Sequence, residues 1–271
     1  VRLFYCGATA MTSVSVSAAV EQSAGSATVP LTWQRLAGVC FGLGTQALFA
    51  LTVVFLFSFL RYGISRPESG WLWTDLLLAL QFAVPHSVLL HPRFRELFRR
   101  WFPAEMHGAF FCVCTCLGLL LLFRFWKTTD QLLWDLQGIP AGLMLTGFYG
   151  SWIALLYSIS LTGLGYQTGW TQWLHWYRGQ RMPRRAFQAA GAYHLLRHPV
   201  YLSFLGLIWF TPVMTLDHAV LTGVWTVYIY VGSVLKDRRL LFYLGQSYAD
   251  YMTRVPGYPG LPAGPLARRN S

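Results

Sequence analysis

Two polar clusters carry the residues best suited to chemistry. Arg197-His198-Pro199-Val200-Tyr201 opens a long, almost uncharged run, and Lys236-Asp237-Arg238-Arg239 closes it. Pro199 suits the first turn of a helix, where a missing N–H costs nothing. The proline pushes His198 out of the helical region. That junction exposes backbone N–H groups at the positive end of a helix, beside the Arg197 guanidinium, and such a place suits an anion. Asp237 is a carboxylate near a membrane surface and needs a cation. Surface pairing with Arg238 and Arg239 is the plain alternative. The chemical reading is a ligand carrying separated positive and negative groups, as a zwitterionic amino acid does. Tyr248 and Tyr251 are three residues apart, share a helix face, and could cover a planar ring.

The elements that must position these groups are membrane helices. Of 271 residues, 55% are hydrophobic and 11% charged, against about 25% charged in soluble domains. Mean hydropathy is +0.42. The apolar residues come in long uncharged blocks, which excludes an ordinary soluble core. Spans are expected over Leu36 to Leu60, Trp71 to Leu90, Gly108 to Trp126 and about Ile139 to Leu161. The block from Pro199 to Leu235 is expected to be a hairpin of two spans, turning near Thr211-Pro212 and Asp217-His218. The expected fold class is therefore an all-α polytopic membrane bundle of five to six transmembrane helices, six being the count favoured.

The net charge of +11 comes from arginine-rich loops between apolar blocks. That pattern follows the positive-inside rule rather than nucleic-acid binding. Fifteen Lys and Arg fall on the side holding both polar clusters, and four, Arg61, Arg66, Arg124 and Lys127, on the other. Both termini and both clusters are expected to be cytoplasmic, in a bacterial inner membrane. Residues 1–30 are expected to be a poorly ordered tail, and residues 31–271 one membrane domain with its cofactor-binding part at about 190–262. The five cysteines show no zinc-site spacing, and no metal site is expected. His194 and His198 are four apart, but Pro199 interrupts the helix, so they are not expected to form a metal pair.

Gly191-x-Tyr193-x-x-x-Arg197-His198-Pro199-x-Tyr201, the hairpin, Asp237 before x-x-Leu240, Gly245-x-x-Tyr248-x-x-Tyr251 and Val255-Pro256 together resemble the isoprenylcysteine carboxyl methyltransferase and phospholipid methyltransferase superfamily. Upstream, Gln81-Phe82-Ala83-Val84-Pro85-His86-Ser87, the basic stretch Arg93 to Pro103 and Gly163-x-Gly165 resemble its NnrU-like branch. The resemblance spans roughly residues 75 to 262. It implies an integral membrane enzyme that moves a methyl group from S-adenosylmethionine to a small volatile thiol, methanethiol, and so makes dimethyl sulfide. It also implies site roles. Arg197 and the His198–Pro199 turn would hold the methionine carboxylate and Asp237 its ammonium. Tyr193, Tyr201, Tyr248 and Tyr251 would shape the cofactor pocket. His86 and His198 are candidate bases, and Tyr201 lies among the catalytic candidates. The superfamily usually has two glutamates where this chain has Lys236-Asp237, so the first charge is reversed. Other acceptors within the superfamily are a prenylcysteine carboxylate or a phospholipid amine. A haem-dependent isomerase and a non-enzymatic membrane protein are the readings outside it.

Overall fold

A computed structural model describes residues 33–63, 70–182 and 188–268. The expected N-terminal tail lies outside the described residues. In chain order the helices are α1 (Trp33–Tyr62), α2 (Trp71–Leu90), α3 (Pro92–Phe98), α4 (His107–Phe125), α5 (Gly138–Thr162), α6 (Leu164–Gln167), α7 (Trp170–Tyr177), α8 (Pro199–Trp209), α9 (Leu216–Leu244) and α10 (Gln246–Arg254). Two short strands, β1 (Leu132–Asp135) and β2 (Val213–Thr215), pair antiparallel.

Among the described residues, five helical segments are long and apolar enough to cross a membrane: Leu36–Tyr62, Trp71–Leu90, Ala104–Phe125, Gly138–Thr162 and Leu216–Leu244. Inside the hydrocarbon a backbone must satisfy its own polar groups, which is why these blocks are helical. Their outward faces remain apolar, as Leu77, Ile153 and Val227 show. The sixth expected span is different. Helix α8 has 11 residues, about 16 Å at the helical rise, against a hydrocarbon core of about 30 Å. It stops at Trp209 because Pro212 cannot continue a helix and biases Thr211 toward extended backbone. The chain then runs extended into β2, whose polar groups pair with β1. This return segment is thus half helix and half ribbon.

The bundle is ordered by its packing. Helix α1 packs on α4, α4 on α2, α2 on α9, α9 on α8, and α8 on α5. Phe57 of α1 meets Phe148 and Trp152 of α5, with ring centroids 5.9 and 5.7 Å apart, and closes the ring. The shared core holds Leu122, Trp126, Leu207, Ile208, Leu221 and Trp225.

Two buried carboxylates tie the end opposite the arginine-rich loops. Asp217 accepts from Trp126 Nε1 at 3.0 Å and from the Thr129 N–H at 3.2 Å. Asp75 accepts from the Lys127 N–H at 3.0 Å. They fix the entry of α9, which then rises through 29 residues, about 43 Å. That exceeds the hydrocarbon thickness, so the last turns, with Lys236 to Arg239, reach the polar zone.

Candidate functional site

The site forms where the start of α8 meets the end of α9, α10 and the C-terminal segment. Pro199 occupies the first turn of α8, and His198 precedes it at φ −125°, outside the helical region. That local break leaves His198 fully buried and turns Arg197 inward, 2% exposed. Both face Asp237 of α9, itself 3% exposed.

Arg197 and Asp237 meet each other. Arg197 Nε donates to Asp237 Oδ2 at 3.1 Å, and Nη2 lies 3.0 Å from the same oxygen. Nη1 points the other way, donating to the carbonyls of Val255 at 2.6 Å, Ala267 at 3.2 Å and Met252 at 3.4 Å. The Arg197 backbone N–H donates to Pro256 O at 2.9 Å. One guanidinium therefore neutralises the carboxylate and also caps α10, whose last carbonyls need donors. It pins the C-terminal segment as well.

The tyrosines complete this cage. Tyr248 Oη donates to Asp237 Oδ1 at 2.6 Å. Tyr251 Oη donates to the Tyr193 carbonyl. Burial, reinforced by the Asp237 charge, holds the Tyr248 phenol above its usual range, so it stays a donor. Burial pushes the Tyr193 phenol up to about 12. The Tyr201 ring stacks on His198, with centroids 5.5 Å apart and planes 9° apart. Tyr258, which sequence reasoning passed over, packs on the same imidazole at 5.7 Å and hydrogen-bonds Ser233 at 2.6 Å. Gly257 allows this approach. A Cβ there would stand 2.8 Å from Leu266 O and 3.3 Å from His198 Cδ2.

His198 Nε2 lies 3.1 Å from Asp237 Oδ1, but at an angle that makes no hydrogen bond. Burial lowers the imidazole pKa and outweighs the pull of Asp237, whose charge Arg197 already offsets. Burial thus favours the neutral imidazole. Three buried nitrogens, His198 Nδ1, His198 Nε2 and Arg197 Nη2, have no aligned acceptor or donor. Buried polar atoms are seldom left so, and each such group calls for an explanation.

Arg197 and Asp237, expected to take the two charges of a ligand, lie against each other and pair directly. Pro199 acts through the turn. A cleft of about 610 Å³ opens alongside, lined by His194, Ser247, Asp250, Tyr251, Arg254 and Val255. Val255 and Tyr251 join the cleft to the buried pair. His194, Asp250 and Arg254 were not anticipated as lining residues; Asp250 and Arg254 are four apart on α10 and share a face, which is the signal that pointed there.

His86 sits apart from this cage, toward the middle of the bundle. Its Nδ1 is 3.3 Å from Thr115 Oγ1. Phe111 and Tyr228 meet it edge-on at 4.7 and 6.0 Å, and Phe82 at 5.4 Å. Pro85 lies within α2, which continues through it. The Gly163 to Gly169 segment forms the turn from α5 into α6 and α7, where Gly169 (φ 77°) abuts the Gly108–Ala109 backbone.

Comparison with known proteins gives these motifs a context. The chain is 31% identical over 232 residues to the methanethiol S-methyltransferase of Pseudomonas sp., covering 82% of this chain and 89% of that protein. It is 32% identical over 197 residues to the methanethiol S-methyltransferase of Mycobacterium tuberculosis, covering 72% and 80%. It is 25% identical over 182 residues to nurim of Mus musculus, covering 64% and 69%. No family model and no solved structure matches. The helical membrane architecture, the site motifs and the extent of these similarities agree, and the chain belongs to the methanethiol S-methyltransferase family.

Proposed function

We propose that the chain moves a methyl group from S-adenosylmethionine to methanethiol and releases dimethyl sulfide. The observation that carries this reading is the set of three buried nitrogens without aligned partners, on Arg197 and His198, beside the Asp237 carboxylate. A donor with an amino-acid end fits them. Its carboxylate would take Arg197 Nη2 and the His198–Pro199 turn, and its ammonium would take the free lone pairs of Asp237. Arg197 would keep its bonds to the Val255 and Ala267 carbonyls, so the cage would not collapse. The donor, when bound, supplies an electrophilic methyl carbon on a sulfonium.

The chain's own residues do the rest. Tyr248 and Arg197 orient Asp237, Tyr251 and Tyr193 wall the cleft, and Tyr201 stacks on His198. The tail carrying Tyr258 helps keep water out, and in a dry site fixed charges act more strongly. Reacting atoms must be held in line at about 3 to 3.5 Å. His86, in its aromatic box between α2, α4 and α9, is the candidate to take a proton on the acceptor side. The charge asymmetry of the loops supports a cytoplasmic site with both termini inside, in a bacterial inner membrane. The bilayer would deliver the apolar thiol.

The test is dimethyl sulfide in the headspace over purified protein, S-adenosylmethionine and methanethiol. Product from the native chain and none from Arg197→Ala supports the reading. No product despite intact donor binding would redirect it to a prenylcysteine or phospholipid acceptor.

A further inference from the structure

Lys236 is an ammonium without a counter-ion inside the candidate site. It is partly buried near the end of α9, and its Nζ stands 5.0 Å from the centroid of the Tyr201 ring. Among the described residues no carboxylate pairs with it and no oxygen accepts from it; the Asp237 carboxylate is turned to Arg197 and Tyr248. A cation in a membrane span normally pairs or snorkels, and one aromatic face is a weak substitute for a counter-ion. The groups around it are Tyr201 of α8, His198 just before α8, and Asp237 and Arg239 of α9. His86 of α2 lies beyond Tyr228, within electrostatic reach of Arg239. Apart from Asp237, none of these is an anion. The Lys236 side of Tyr201 is therefore a small positive region, distinct from the Arg197–Asp237 pair, whose charges offset each other.

We propose that Lys236 binds the acceptor as its thiolate. A neutral thiol enters from the bilayer, its S–H bond breaks, the proton passes to bulk water by way of His86, and the electron pair stays on sulfur against the ammonium. That pair then forms a C–S bond to the methyl carbon of the sulfonium donor, giving dimethyl sulfide, while the electrons of the broken C–S bond stay on the donor's sulfur, which leaves as the demethylated thioether. Thiolates, not thiols, are nucleophiles, and adjacent cations lower a thiol's pKa. Burial alone would have the opposite effect. Here the basic residue is what lets a dry pocket hold the anion. The inference rests on the methyl-transfer reading, but its first test does not need the donor.

The experiment follows thiolate absorption in the near ultraviolet while methanethiol is added to the full chain in nanodiscs without any donor. The native chain and Lys236→Arg are expected to show bound thiolate at pH 7, and Lys236→Met and Lys236→Glu none. With donor present, the acid limb of kcat, which reports groups in the complex, is expected to move up by about one pH unit in Lys236→Met, roughly a tenfold loss at neutral pH. Donor affinity by calorimetry is expected to stay within about twofold of native, on the same scale. Equal thiolate signals in native and Lys236→Met chains would overturn the proposal. So would loss of donor affinity in Lys236→Met, which would assign the ammonium to the donor's carboxylate. A native chain that binds thiolate yet forms no dimethyl sulfide would refute the methyl-transfer reading and leave the thiolate site standing.

Discussion

The Arg197 guanidinium and the Asp237 carboxylate, 40 residues apart in sequence, share one oxygen. Nε and Nη2 both lie within 3.1 Å of Asp237 Oδ2, and both side chains are almost fully enclosed. Removing one partner of such a pair leaves a buried charge uncompensated, at a cost of about 3 to 5 kcal/mol. Arg197→Met and Asp237→Leu are each expected to lower the unfolding midpoint strongly in detergent. Replacing both by apolar residues of similar size, Arg197→Met with Asp237→Leu, is expected to recover most of that loss. Thermal unfolding of the four proteins closes the cycle; additive losses would show that the pair is not the unit.

Tyr248 tests the same carboxylate more gently. Its hydroxyl donates to Asp237 Oδ1 at 2.6 Å, and hydrogen bonds to charged groups contribute about 1.5 to 3 kcal/mol. Tyr248→Phe keeps the ring and loses the bond. Chemical denaturation is expected to show a loss in that range, with the slope unchanged. A loss below about 0.5 kcal/mol would mean that water or another donor replaces the hydroxyl.

His198 gives the site a pH dependence. Its folded pKa is lowered by burial, so between that value and the unfolded value of about 6.5 only the unfolded chain binds the proton. Stability is then full above about pH 6.5 and falls as pH drops below it, with a slope of about 1.4 kcal/mol per pH unit until the folded chain also binds the proton. Unfolding midpoints of native and His198→Gln chains between pH 5 and 8 are expected to diverge in slope at the acid end. Parallel curves would show that the imidazole is not the group responsible.

Gly257 is the closest approach of the tail to the site. Gly257→Ala would place a methyl 2.8 Å from the Leu266 carbonyl, a backbone atom that cannot swing aside. The expected outcome is faster proteolysis after residue 255, with the membrane spans intact. Unchanged protection of the tail would mean that the backbone yields without cost.

Much of this arrangement could be read from residue types. Charge-free blocks marked the long helices, and the Arg-His-Pro turn, Asp237 and the two tyrosines were recognisable as one constellation. What they do to one another was not. Arg197 is held by the carbonyls of Val255 and Ala267, and a backbone acceptor leaves no trace in the identity of its residue. For the same reason the ribbon of β1 and β2 was invisible, since pairing between strands so distant in sequence has no local signal. The shortness of α8 was half legible. Pro212 marked its end, but the hydropathy of the block around it was that of a full span. The surroundings of the candidate base His86 were not legible either, because the Phe111 and Tyr228 rings that box it come from other helices.

Calorimetric titration of S-adenosylmethionine into the purified Arg197→Met, Asp237→Leu double variant tests the central claim most directly, because this variant is expected to keep its fold. The native chain is expected to bind one donor per chain and the double variant none, although both show the same helix content by circular dichroism. Native-like affinity in a folded double variant would contradict the assignment of the buried pair and its orphaned nitrogens to the methyl donor.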